Sequence, residues 1–283
     1  MRFSVLTLNL HTWQETDQLE KLDRVARFAA EENISALCLQ ECGQRRDAPY
    51  YDEASGLRSD NTARLIQARL EEYGLKYGLA WAFSHNSFEH YEEGSAVLTQ
   101  LPILGSCSRF VSCGHDPDSV QSRNVIMARL AVAPTAVIDL YSVHLSPPED
   151  GLAEQLDALA GFVSQTPEVL EQMKPPPPKR RGPPRKRVAS EEPRVTTRLI
   201  CLAGDLNDEP HGLPATLSTR GYLEASALAR ESRAETGTFQ DGRWIDYIFI
   251  RPALRPQSAR LVFTGAERKP VSDHYAVSAE FEV

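Results

Sequence analysis

Cysteine is scarce in this chain, and no apolar run approaches the roughly 20 residues that span a bilayer. The five cysteines, Cys38, Cys42, Cys107, Cys113 and Cys201, are odd in number and include no Cys-x-x-Cys pair. That argues against a disulfide framework and against a thiolate zinc site, and leaves reduced thiols as the expectation. A leader of basic residues, apolar core and small-residue cleavage site is also missing, since Met1-Arg2 runs straight into the alternating segment Phe3 to Leu10. A cytoplasmic protein with no membrane association is the expectation. Positive charge is sparse as well, with 31 Lys and Arg against 39 Asp and Glu for a net charge of −8. Six of those cations, Lys179, Arg180, Arg181, Arg185, Lys186 and Arg187, fall between Pro175 and Ser190 with no acid among them, so the remainder carries −14. Nucleic-acid binding depends on neutralising phosphates with Lys and Arg. An acidic body therefore gives weight to a small soluble substrate over nucleic acid.

What is present is a 283-residue chain with 41% hydrophobic residues, enough for a sizeable core. We expect one domain over residues 1–283. Short apolar stretches alternate with helical patterns, which predicts an α/β fold. Residues 3–8 and 36–39 read as buried strands. Between them Leu19, Leu22, Val25, Ala26 and Ala29 recur at helical spacing, with Asp17 placed to cap the helix. A second amphipathic helix covers 61–73 and stops at Gly74. Residues 79–83, 95–99, 124–132 and 137–144 read as strands, 151–164 as helix, and 198–203, 244–251, 259–263 and 275–283 as further strands. Two sheets with outer helices accommodate this order.

Residues 174–194 break the pattern. Four consecutive prolines, Pro175 to Pro178, and the basic cluster favour extended, solvated chain that does not pack. A disordered loop insertion is the simpler reading of this composition, and a polyanion-binding patch the sharper one.

Five polar clusters sit at the ends of expected strands, where a sheet-based fold gathers ligand-binding groups. They are Asn9 to His11, Gln40-Glu41, His144 to Ser146, Asp205 to Asn207, and Ser272-Asp273-His274. Taken singly, Asn9 and Asn207 read equally well as caps or turn residues, His144 as a core histidine, and Arg123 as a strand-end surface residue. Taken together, hard carboxylate and amide oxygens suit Mg²⁺, and Mn²⁺ accepts the same ligands. Histidines beside carboxylates suit charge stabilisation and proton transfer at phosphorus.

The motifs Thr7-Leu-Asn-Leu-His11, Leu39-Gln-Glu41, Tyr91-Glu-Glu-Gly94, Ser142-Val-His-Leu-Ser146, Gly204-Asp-Leu-Asn207, Trp244-Ile-Asp-Tyr-Ile-Phe-Ile250 and Ser272-Asp-His274 stand in one order along the chain. In this the chain resembles the endonuclease/exonuclease/phosphatase superfamily, which includes deoxyribonuclease I. The resemblance covers nearly everything outside the Pro-rich segment. It implies a four-layer α/β sandwich, two packed, mostly antiparallel or mixed β-sheets flanked by helices. It implies Glu41 as a direct metal ligand with Asn9 and Asp273 as companions, Asp205 orienting the attacking water, and Asn207 holding the scissile phosphate. His274 would stabilise negative charge with Asp246 as its orienting carboxylate. Glu93 paired with His144 would supply the acid, and Tyr91 and Arg123 would contact substrate.

The segments around Trp13 and from Trp81 to Gly94 also resemble a bacterial subgroup that includes maltose 6′-phosphate phosphatase, with Trp13, Trp81 and Phe88 placed to stack on a sugar. The expected activity is metal-dependent hydrolysis of a small phosphomonoester such as a sugar phosphate. A Mg²⁺-dependent nuclease is the alternative, and a non-catalytic scaffold that binds a polyanion through the basic insert is a distant third.

Overall fold

The computed structural model describes residues 2–173, 195–212, 214–232 and 237–283, so the insertion expected over 174–194 lies outside the described residues. The chain runs β1 (Arg2–Asn9), α1 (Gln18–Glu31), β2 (Ala36–Arg45), β3 (Tyr50–Asp52), β4 (Leu57–Arg58), α2 (Thr62–Glu72), β5 (Gly78–Ser87), β6 (Tyr91–Thr99) and β7 (Ile103–Phe110). It continues with β8 (Asn124–Ala133), β9 (Ala136–His144), α3 (Leu152–Met173), β10 (Thr197–Asp205), α4 (Pro214–Thr219), β11 (Leu223–Glu224), α5 (Ala227–Ser232), β12 (Asp246–Arg251), β13 (Ser258–Val262) and β14 (Ala276–Glu282).

Two six-stranded sheets form, one in the order β13-β14-β1-β2-β6-β5 and the other β11-β12-β10-β9-β8-β7. Each has a parallel pair at its centre, β1 with β2 and β9 with β10, while the flanking pairs are antiparallel. A parallel pair needs a crossover, and the segments containing α1 and α3 supply them. This is the expected α/β sandwich with helices outside two mixed sheets.

Alternation along β1 assigns its faces. Leu6 and Leu8 join Leu22, Val25, Ala26 and Phe28 of α1 and Ala63, Ile66 and Leu70 of α2 in one apolar layer, whereas Phe3 and Val5 join the core between the sheets. Leu19 is 57% exposed, so the buried apolar stripe of α1 begins at Leu22 and takes in Phe28 instead. Asp17 does occupy the N-cap of α1, but in the left-handed region and without a side-chain cap bond. Asn61 caps α2 in the ordinary way, accepting from the Ala63 amide at 3.0 Å. On the other side, Tyr141 of β9 meets Phe162 of α3 edge-on at 5.5 Å, and its hydroxyl lies 2.7 Å from Thr166 Oγ1. α3 runs through Pro167 to Met173, well past the expected end. Among the described residues no helix is long and apolar enough to cross a membrane.

Candidate active site

The two parallel pairs bring their carboxyl ends to one edge of the molecule, the position where strands of α/β sheets deliver ligand-binding groups. In the first sheet Asn9 pairs in register with Gln40; in the second, Asp205 pairs with His144. Antiparallel β12 starts opposite the end of β10, so Asp246 sits beside Asp205. His274 forms an isolated bridge with Phe239 just before β14. Asn9, Asp205, Asp246, His144 and His274 are all buried, and Glu41 is partly open.

Glu41 reaches this edge through a break in the strand pattern. In β2 the residues Leu37 and Leu39 face the helices, so unbroken alternation would send Glu41 the same way. The pairing with β6 jumps from Leu39–Ala96 to Cys42–Gly94, inserting one extra residue into β2. Cys42 takes the helix-facing place, and Glu41, at φ 48°, is released toward the cleft. Beneath it a buried polar link ties the sheets together. Gln40 Nε2 donates to Ser142 Oγ at 2.9 Å, Ser142 Oγ donates to the Leu39 carbonyl at 3.0 Å, and Thr7 Oγ1 donates to Gln40 Oε1 at 3.3 Å.

Asn9 bridges the two sheets at the surface of the site. Its Nδ2 donates to Glu41 Oε1 at 2.9 Å and to Asp205 Oδ2 at 3.2 Å, while its Oδ1 accepts the His11 amide at 3.1 Å. Asp205 Oδ1 accepts the Asn207 amide at 2.8 Å. Around Asp205 Oδ2 stand His144 Nε2 at 3.7 Å and His274 Nε2 at 3.8 Å, and His144 Nε2 is 3.9 Å from Glu41 Oε1. Those three separations exceed hydrogen-bond length. The groups are therefore directed at a shared gap and not at one another. Asn207, at φ 52°, lies close by, its Nδ2 donating to the Leu145 carbonyl at 2.8 Å and standing 3.4 Å from His144 Nε2.

The two histidines have opposite electrostatics. His274 Nδ1 is 2.9 Å from Asp246 Oδ2. Burial alone would lower its pKa, but the charge and hydrogen bond of Asp246, helped by Asp205 and Asp273, raise it to about 10. His144 Nδ1 faces the Arg123 guanidinium, 3.3 Å from Nη1. Burial and then that positive charge hold it well below 6.5. Arginine can only donate, so His144 accepts at Nδ1 and carries its hydrogen on Nε2, toward the gap. Arg123 is fixed in turn by Ser146, whose Oγ accepts from Nε at 3.3 Å. Burial, then Asp246, pushes Asp205 up to about 7.

One expected pairing is replaced by another. Glu93 does not partner His144: a bulge in β5 between Phe83 and His85 puts His85 directly opposite Glu93, and His85 Nε2 lies 3.5 Å from Glu93 Oε1. Burial lowers His85 to about 4 and, with the Glu41 charge, raises Glu93 to about 8, so near neutral pH the pair holds its proton on the carboxyl. Tyr91 stacks on Trp13, with centroids 6.5 Å apart. Trp81 belongs to the helix-side core and Phe88 is 62% exposed, so neither joins Trp13 in a stacking platform. Asp273 is the outlying member of the expected metal set. It accepts from Ser272 Oγ at 3.1 Å and lies 3.6 Å from His11 Nδ1, which is 2.8 Å from Glu15 Oε1. Thr12 and Glu15 are site residues that the sequence did not single out, while Gln40, His11 and His85 were visible only as strand-end polar residues without a specific role. A polar residue on the inward row of β2, Gln40, was the available signal.

A model for the Endonuclease/Exonuclease/phosphatase family matches residues 15–274. The chain belongs to that family. Family membership makes it a hydrolytic, metal-dependent phosphoesterase. Among solved structures it is similar to an endonuclease/exonuclease/phosphatase family protein from Leptotrichia buccalis C-1013-b, at 21% identity and a TM-score of 0.78, covering 99% of this chain and 100% of that one. A family protein from Beutenbergia cavernae DSM 12333 is 17% identical over 100% of this chain and 72% of its own, with a TM-score of 0.66. Truncated Caenorhabditis elegans TDP2 is 15% identical over 100% of this chain and 98% of its own, with a TM-score of 0.60. At these identities the likeness is one of fold. A sequence search of curated proteins finds no significant match.

The residues present fit a metal ion, on which this family depends. Ligand atoms of Asp273, His11 and Glu15 lie within 4.8 Å of one another, and the carboxylates of Glu41 and Asp205 both accept from the Asn9 amide, at 2.9 and 3.2 Å. Asp246 Oδ1 is buried with no hydrogen-bond partner. Hard oxygens in surplus over side-chain cations are the donor set that Mg²⁺ or Mn²⁺ accepts.

Proposed function

We propose that this chain is a Mg²⁺-dependent phosphatase acting on a small phosphomonoester such as a sugar phosphate, in the cytoplasm. The observation that carries the chemistry is the gap bounded by Asp205 Oδ2, His144 Nε2, His274 Nε2 and Glu41 Oε1 at 3.7–3.9 Å, two donors and two carboxylates aimed at one place. Asp205 orients a water for in-line attack on phosphorus, and with a pKa near 7 it accepts the proton that the water loses. The His274 imidazolium, fixed by Asp246, and Arg123 neutralise charge on the phosphoryl oxygens, while His144 Nε2–H and the free hydrogen of the Asn207 amide donate to them. Glu93, backed by His85, holds a proton for the leaving oxygen. Glu41, Asn9 and Asp273 are assigned to the cation, Glu41 as its direct ligand. When bound, the cation supplies Lewis-acid stabilisation of the same oxygens.

Two features favour a small substrate. Asp205, His144 and His274 are recessed, 1%, 8% and 5% exposed, where a terminal phosphate can enter more readily than a duplex backbone. Outside the Pro-rich segment the chain carries −14, which repels polyanions. Sugar phosphates, mononucleotides and supercoiled plasmid, each assayed with Mg²⁺ for phosphate release and nicking, test the assignment. Phosphate release from one of the small substrates is expected, and plasmid nicking without phosphate release would replace the phosphatase reading by a nuclease one. Glu41→Ala should abolish tight Mg²⁺ binding, and a variant with near-normal Mg²⁺-dependent turnover would remove Glu41 from the metal site.

A further inference from the structure

The loop that leaves β1 lies along the bulge that releases Glu41. The Leu10 amide donates to the Gln40 carbonyl at 3.0 Å, immediately before the bulged residue. Two residues on, the Thr12 hydroxyl donates to the carbonyl of Glu41 itself and accepts the amide of Gly43 at 2.7 Å. One side chain, 2% exposed, thus holds backbone groups on both sides of Cys42, where the register against β6 has just jumped. Glu41 is at φ 48°, a conformation that non-glycine residues keep only when their surroundings impose it. The neighbour is fitted to the same arrangement. A Cβ at Gly43 would stand 2.9 Å from Thr12 Oγ1 and 3.0 Å from Trp13 Cδ1.

We propose that Thr12 is a positioning residue for Glu41, its hydroxyl fixing the bulge from which the carboxylate is presented to the divalent cation. The proposal rests on the reading of Glu41 as a cation ligand. Thr12 acts through the Glu41 carbonyl and the Gly43 amide and contacts neither cation nor substrate. Asn9 performs the matching task for the side chain, its Nδ2 on Glu41 Oε1 at 2.9 Å. Glu41 is therefore held at two points, one on the backbone and one on the carboxylate. Without the backbone point it would sample other bulge geometries, and a fraction of the binding energy would go into restoring this one. Loss of an outer partner of a metal ligand typically weakens binding about 10- to 100-fold.

The test is Mn²⁺ binding to the full chain without substrate, followed by the EPR signal of free Mn²⁺, for wild type, Thr12→Ser, Thr12→Val and Glu41→Ala, with thermal denaturation alongside. Thr12→Ser keeps the hydroxyl and should bind within about threefold of wild type. Thr12→Val keeps the shape and loses the hydroxyl, and should bind about tenfold more weakly or worse while still melting cooperatively. Should Thr12→Val not fold, the same titration on Thr12→Ala decides. Unchanged affinity in a folded variant without the hydroxyl overturns the proposal, as does an equal loss in Thr12→Ser and Thr12→Val, which would make packing responsible. Glu41→Ala separates the two levels. If it binds Mn²⁺ like wild type, the cation assignment falls and the Thr12 proposal with it, whereas loss in Glu41→Ala with none in Thr12→Val overturns Thr12 alone.

Discussion

Asp246→Asn preserves shape and removes the charge that keeps His274 protonated, relieving at the same time the upward push of that charge on Asp205. The structure sets the magnitude. Burial works against an imidazolium at this position, yet the Asp246 carboxylate, 2.9 Å from Nδ1, with the smaller pull of Asp205 and Asp273, brings the pKa from 6.5 to about 10. At about 1.4 kcal/mol per pH unit the rise corresponds to roughly 5 kcal/mol of preference for the charged ring. With asparagine in place, Asp205 and Asp273 remain as the opposing charges and burial regains its weight, so His274 should be neutral at pH 7.5. The phosphoryl oxygens then lose a cation, and kcat/KM on p-nitrophenyl phosphate with Mg²⁺ should fall about 10²- to 10⁴-fold. Stability carries the same signature. A group whose folded pKa is raised contributes stability that is complete below its unfolded value of about 6.5 and is lost as pH rises toward the folded one. Wild type should therefore lose stability between pH 6.5 and 10 from this group, and Asp246→Asn should flatten that loss. Imidazole ¹⁵N shifts from pH 5 to 10 report the proton directly. A His274 that stays cationic at pH 8 in Asp246→Asn, or turnover within threefold of wild type, would refute the reasoning.

Two further substitutions test the frame that carries the site. Asp139 is fully buried and accepts from Arg129 at 2.6 and 2.8 Å and from Arg198 Nε at 2.6 Å, so Asp139→Asn should cost about 3 kcal/mol in urea denaturation, the low end for a broken buried pair because both arginines keep some solvent; a change under 0.5 kcal/mol would contradict it. At Gly204 a Cβ would sit 1.8 Å from the Val143 carbonyl oxygen, so Gly204→Ala must part β9 from β10 and displace His144 and Asp205 together. It should melt far below wild type and lose activity, and a fully active Gly204→Ala with an unchanged melting temperature would mean that these strands do not approach as described.

The central strands were legible because each contains a run of apolar residues too short to be a helix, and the helices because their apolar spacing matched one face. The elements that were not foreseen have weaker signals. β7 is an edge strand whose residues are half-exposed, so Ile103 to Phe110 shows neither alternation nor a continuous apolar run. α3 outruns its expected end because Leu170 packs on the same face as Phe162 and Val163, and Pro167 is tolerated within the helix. Leu19 was counted into the core on spacing alone, although the packed face of the helix carries Phe28 and leaves Leu19 outside. The polar residues at strand ends were visible as clusters of chemistry-bearing side chains, and the fold gathers most of them within a few ångströms.

Pairing across the chain is where local pattern stops being informative. Period-2 alternation would turn Glu41 toward α1 and α2, and only the register against β6 shows the extra residue that frees it. In the same way Glu93 finds His85 because β5 carries a bulge of its own, a fact about two strands and not about either segment. The partners then decide the chemistry. His144 and His274 are the same residue type at comparable depth, but burial, reinforced by Arg123 21 positions away, keeps one neutral, while Asp246, 28 positions away, overrides burial and makes the other a cation. Exchange of those partners would leave composition and fold class nearly unchanged and would invert which ring can oppose the charge of a phosphoryl group. Gln40 and Ser142 bear on the same point: the neutral ring stands on the second sheet and the Glu41 carboxylate on the first, and the buried bond between the sheets joins the apolar core in fixing the distance at which the two meet, 3.9 Å.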